Sequence, residues 1–150
     1  MILLQRLDLW LTSLRMHLSI QSFEKEYYKK KKEFMSDKNP IIFLEHIIES
    51  IECIDEYLGG VSLAEFKSDK KTHDAVIRQL EIIGEAVKNL PEELRVKYTD
   101  LPWKEMAGLR DILIHHYFGV DLELTYEVVI NDLKPIKEKI AVILNQLRSQ

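Results

Sequence analysis

Arg110, Asp111, His115 and Tyr117 fall within eight consecutive residues of this chain, with His116 between the last two. An imidazole can take a proton from a ribose 2′-OH or give one to a leaving oxygen. A guanidinium presents a planar fork of donors that fits a phosphate and steadies charge gathering at phosphorus. A carboxylate beside an imidazole holds its tautomer and supports its charged form. Together these are the groups needed to cleave an RNA phosphodiester without a metal ion. Arg110 and His115 are the candidate catalytic pair, and Asp111 is the orienting group.

The segment that carries them reads as the end of a helix. At about 100° per residue, Leu109, Ile112, Leu113 and His116 share one face, while Asp111, Ile114 and His115 lie opposite. The first face suits the core of the chain's own domain and makes His116 a structural support. Ile114, on the polar side, implies that this side is covered as well. A two-fold homodimer with a helix–helix interface would cover it and bring the same patch together twice. Asp111 and His115, four apart, are within reach of one another. The chemistry has a plain alternative: an Arg and two His near a helix C-terminus are also favourable partners of the helix dipole. Tyr117 has one too, as an aromatic at the edge of the core. Spacing by itself leaves both readings open.

The elements that must position this segment are helical. Five Gly and four Pro in 150 residues leave few turns and favour long helices. From Pro40, the residues Ile41, Leu44, Ile47, Ile48, Ile51, Ile54 and Leu58 trace one stripe, which Gly59 and Gly60 stop. Residues 62–66 form a short extra helical piece. A second helix spans about 70–90, with Val76, Ile77, Leu80, Ile83, Val87 and Leu90 facing inward. Gly84 within it costs about 1 kcal/mol relative to Ala, which a close helix–helix contact would explain. Pro91 ends this helix. Asp100 and Pro102 open a third, which continues to about 118 and stops at Gly119. Asp121 caps a fourth, reaching about 147, in which Pro135 must produce a kink or a break. The expected fold is all-α, an up-and-down bundle of four to five helices.

Length and a hydrophobic share of 46% fit one domain with a sizeable core. The lone Cys53 can form neither an internal disulfide nor half of a CxxC site, and its apolar neighbours make it a small buried hydrophobe. The leucine-rich first twenty residues are interrupted by Arg6, Asp8, Arg15 and His17, too often for a membrane span or a signal peptide. The expected setting is the cytoplasm, with no membrane association.

Residues 1–35 carry a net charge of +3 and residues 36–150 a net of −7. A body at −7 repels nucleic acid at long range, so an RNA function has to rest on a local site. The first segment reads as an extension: Leu4, Leu7, Leu11, Leu14 and Leu18 have amphipathic spacing, and the lysines at 29–32 form a solvated linker or an RNA-binding arm. Met35, followed at once by the cap-like Ser36 and Asp37, is an alternative start that would make residues 1–34 non-native. The expected organisation is an extension over 1–35 and a helical domain over 36–150.

Arg110, four residues, His115, one residue and Tyr117 match the Arg-x4-His-x-Tyr signature of HepT-like ribonuclease toxins of the HEPN superfamily. The second helix, Arg78-Gln-Leu-Glu-Ile-Ile-Gly-Glu-Ala86, is similar as well. So are Leu101-Pro-Trp and Gly108-Leu-Arg-Asp in the third helix and Tyr117-Phe-Gly-Val-Asp121 after it. The resemblance covers roughly residues 38–146. It implies an α-helical homodimer whose two Arg/His sets form a composite RNase site with no cofactor or metal, for which tRNA is a plausible substrate. It further implies a partner, an MntA-type minimal nucleotidyltransferase that silences the toxin by transferring AMP to the motif tyrosine, here Tyr117. A phosphate added there would compete with RNA for Arg110 and His115. Two rival readings stand beside this one: a non-catalytic nucleotide-binding or interaction subunit of the nucleotidyltransferase, and a purely structural helical dimer.

Overall fold

The computed structural model describes residues 39–115 and 119–149, with the backbone alone at 114 and 115. The leucine-patterned extension, His116, Tyr117 and Phe118 lie outside the described residues. Six helices occur among those described: α1 Pro40–Tyr57, α2 Leu63–Ser68, α3 Lys70–Asn89, α4 Glu92–Lys97, α5 Trp103–His115 and α6 Leu122–Arg148. The all-α expectation is met.

Each boundary has a local cause. The Asn39 side chain accepts from the Ile41 N–H at 3.1 Å, and Pro40 occupies the first turn of α1, where its missing N–H costs nothing. Gly60, with φ +80, supplies the left-handed residue that turns the chain out of α1. Ser62 and Glu65 cap α2 reciprocally. The side chains of Asp69 and Asp121 accept from the first-turn N–H groups of α3 and α6. The short helix α4 is absent from the sequence reading, which passes from Pro91 directly to Asp100. Its signals are Glu92 and Glu93 in the first turn against Arg95 and Lys97 in the last, the order that suits the helix dipole.

The apolar stripes meet in one core. Leu44, Ile47, Ile51 and Ile54 of α1, Phe66 of α2, Val76 and Val87 of α3 and Ile140 of α6 are fully buried. Burial of each such side chain is worth about 1.5–3 kcal/mol. α6 runs antiparallel to α1, because Lys137 meets Glu52 at 3.1 Å while Arg148 meets Glu45 at 2.6 Å. α3 packs against both α1 and α5. The start of α5 is pinned by the Trp103 indole, which donates to the Tyr98 carbonyl at 2.7 Å.

Three local expectations need correction. Cys53 is half-buried rather than enclosed. Pro135 does not break α6, which is continuous to Arg148. Both Pro135 and Asn131, whose carbonyl loses its partner, are on the exposed side, where water can satisfy the freed group. Ile112, expected to face inward with Leu109 and Leu113, is 58% exposed. The buried line of α5 is Trp103, Met106 and Leu113, and Ile112 sits about 120° from Met106 around the helix.

Candidate functional site

The candidate site is built where α5 crosses α3, and a glycine sets the distance. A Cβ placed on Gly84 would come 2.4 Å from the Cβ of Arg110 and 3.1 Å from the Met106 carbonyl oxygen. No side chain other than hydrogen allows this approach. The close contact inferred from the position of Gly84 in its helix is therefore present, and its other half is Arg110.

Two ion pairs flank the contact. Nε of Arg110 is ion-paired with Oε2 of Glu85 at 2.8 Å, and Lys88 donates from Nζ to Oδ1 of Asp111 at 2.5 Å. Arg110 also approaches the same Asp111 oxygen through Nη1 at 3.5 Å. All four side chains are partly open to solvent, from 32% for Arg110 to 54% for Glu85. The group is thus a charged rim on the α3–α5 contact, accessible to a large ligand. The hydrogen bond from Lys88 holds the Asp111 carboxyl below the usual aspartate range. Partial desolvation opposes this, and the positive charges of Lys88 and Arg110 add to it.

Of the site residues expected from sequence, Arg110 and Asp111 are brought together here. His115 is the last described residue of α5, its side chain outside the described residues, and His116 and Tyr117 lie outside them altogether. The partners found for Asp111 are Lys88 and Arg110. Glu85 and Lys88 were not among the sequence candidates. They belong to α3, more than twenty residues from the motif, and helix periodicity only marks them as solvent-facing. The usable signal was Gly84, immediately before Glu85.

A second concavity, of about 510 Å³, lies between α3, α5 and α6 and is lined mainly by Leu80, Ile83, Met106, Leu109, Leu133 and Ile136. Glu105 and Asp132 are its charged groups, so it is unsuited to a phosphate backbone. Among the described residues no three or more His, Cys, Asp or Glu are grouped to hold a metal ion, and no helix is long and apolar enough to cross a membrane.

Residues 47–143 match the family model described as ribonuclease HepT-like. The chain is 54% identical over 110 residues to a Methanocaldococcus jannaschii protein named as a gamma-glutamylcyclotransferase with a provisional RNase assignment; the match covers 73% of this chain and 50% of that one. The chain thus spans about half the length of that relative. It is 50% identical over 108 residues to a second protein of that organism, also provisionally named an RNase, covering 69% of this chain and 89% of the relative. A probable ribonuclease HepT of Thermococcus cleftensis is 47% identical over 97 residues, covering 65% of this chain and 88% of the relative. No solved structure matches the chain. With a core built by residues 43–144 and an arginine presented at the rim of its α3–α5 contact, this chain belongs to the HepT-like ribonuclease family.

Proposed function

We propose that the chain is an endoribonuclease that cleaves RNA without a metal ion, using Arg110 and His115. The observation that carries this reading is the placement of Arg110: its backbone is locked against Gly84, while its guanidinium stands at a solvent-accessible rim. The imidazole of His115 takes the proton of a ribose 2′-OH, and the 2′ oxygen attacks phosphorus. The bond to the 5′ oxygen breaks, that oxygen leaves with a proton, and a 2′,3′-cyclic phosphate remains. Arg110 stabilises the charge on the non-bridging oxygens during the attack. Asp111 and His116 support the pair. In a homodimer the two sets meet across a two-fold axis and form one composite site.

The proposed partner is a cognate minimal nucleotidyltransferase of the MntA type, acting as antitoxin. It transfers AMP from ATP to the Tyr117 hydroxyl with loss of pyrophosphate. The new phosphodiester then competes with RNA for the Arg110 fork. tRNA is the proposed substrate. Residues 36–150 form the working domain and residues 1–35 an extension to it.

The acidic balance of residues 36–150 and the pairing of both Arg110 and Lys88 with carboxylates favour a second reading, a non-catalytic interaction subunit of the nucleotidyltransferase. One experiment separates them. The purified chain should cleave RNA in EDTA and leave cyclic-phosphate ends. Arg110→Ala and His115→Ala should each remove that activity, general acid–base catalysis being worth roughly 10²–10⁴ in rate. Incubation with the cognate nucleotidyltransferase, Mg²⁺ and ATP should add AMP to Tyr117 and stop cleavage. No cleavage by the unmodified chain would move the assignment to the interaction subunit, and full cleavage by both variants would remove Arg110 and His115 from the reaction.

A further inference from the structure

Resting on the ribonuclease reading, we propose that Glu85 is a positioning residue for the reaction, fixing the Nε edge of Arg110 so that the terminal nitrogens are left to meet the scissile phosphate. Arginine has five N–H donors, one on Nε and four on the terminal nitrogens. The Glu85 carboxylate lies against the Nε edge as an ion pair, with Oε2 2.8 Å from Nε. Among the described residues the terminal nitrogens meet only the Asp111 oxygen, at the long distance of 3.5 Å. A phosphate therefore finds the end of the fork, not its side.

Two further features commit Glu85 to this task. Lys88, three residues on along α3, is engaged by Asp111 at 2.5 Å, so the two pairs bridge the helix crossing side by side. Gly84 sets the Cα of Arg110 against the α3 backbone, which keeps the guanidinium stem within reach of the neighbouring Glu85. A half-exposed carboxylate beside the phosphate-binding group weakens ground-state attraction for RNA. What it offers in return is orientation, because a long side chain held at one edge loses fewer rotamers when the phosphate arrives.

That trade has a kinetic signature. Glu85→Ala removes the anchor and an anionic charge together. It should lower kcat roughly ten- to hundredfold, the scale of a misplaced catalytic group, while KM stays level or falls. Glu85→Gln keeps the side-chain length and an oxygen able to accept from the Nε–H, and should recover most of kcat, with KM lowered. A salt bridge of purely structural purpose would move the melting temperature without this split or this recovery. With the full chain, steady-state cleavage of a fluorescent RNA is measured for wild type, Glu85→Ala, Glu85→Gln, Arg110→Ala and the Glu85→Ala/Arg110→Ala double variant. The double variant should be no slower than Arg110→Ala. An unchanged kcat in Glu85→Ala, a loss confined to a raised KM, or no recovery with Gln would overturn the inference. If Arg110→Ala is inactive and Glu85→Ala fully active, the positioning role alone falls. If Arg110→Ala cleaves like wild type, the ribonuclease assignment of Arg110 falls, and the role of Glu85 with it.

Discussion

Gly84 and Arg110 touch so closely that the smallest side chain at position 84 would lie 2.4 Å from the Arg110 Cβ. The obstructing atoms are Cβ and backbone rather than the far end of a flexible side chain, so α5 itself would have to shift. Gly84→Ala gains about 1 kcal/mol of helix propensity, whereas overpacking of this kind costs about 1–3 kcal/mol. The variant should be less stable on balance, and its RNA cleavage should fall more than its stability does, because the shift displaces Arg110. Urea unfolding paired with a cleavage assay at 25 °C checks this. A variant that is more stable and fully active would remove Gly84 from the site.

Asp111 is held below the ordinary aspartate range by the Lys88 hydrogen bond, with Arg110 contributing. A carboxyl whose pKa is lower folded than unfolded stabilises the fold above its unfolded value. That contribution is lost as pH falls through the folded value. Asp111→Asn should therefore unfold at a lower urea concentration than wild type at neutral pH. The difference should shrink on acidification below about pH 4 and vanish once the wild-type carboxyl is protonated. A gap that persists or widens at low pH would assign the effect to lost packing rather than charge.

Ile114 belongs to the polar side of α5 by helical register, and the proposed two-fold interface should enclose it. Ile114→Glu would bury an unpaired charge at a cost of several kcal/mol, enough to separate a modest interface. Light scattering should give a monomer mass or aggregates, and cleavage should be lost because a composite site needs both copies. A soluble, active dimer bearing this substitution would place the interface elsewhere.

Five of the six described helices were legible because their causes are local, and only α4 was not. Pro40, the Gly59–Gly60 stop, Ser62, Asp69 and Asp121 act within one turn of where they stand, and the stripes of α1 and α3 follow the 3.6-residue period. The family signature, from Arg110 to Tyr117, was equally readable as a linear string. The tertiary structure decided the rotation of α5, and with it the exposure of Ile112, since helix phase is set by what the helix packs against and its apolar residues did not define one narrow face. It decided that Cys53 is only half-buried, because a residue at the edge of a stripe is covered or open according to its neighbour's width. Above all it brought Glu85 and Lys88 to Arg110 and Asp111. A pairing between side chains on two helices has no sequence period; it exists because the glycine at 84 lets α3 and α5 approach to backbone contact at that point.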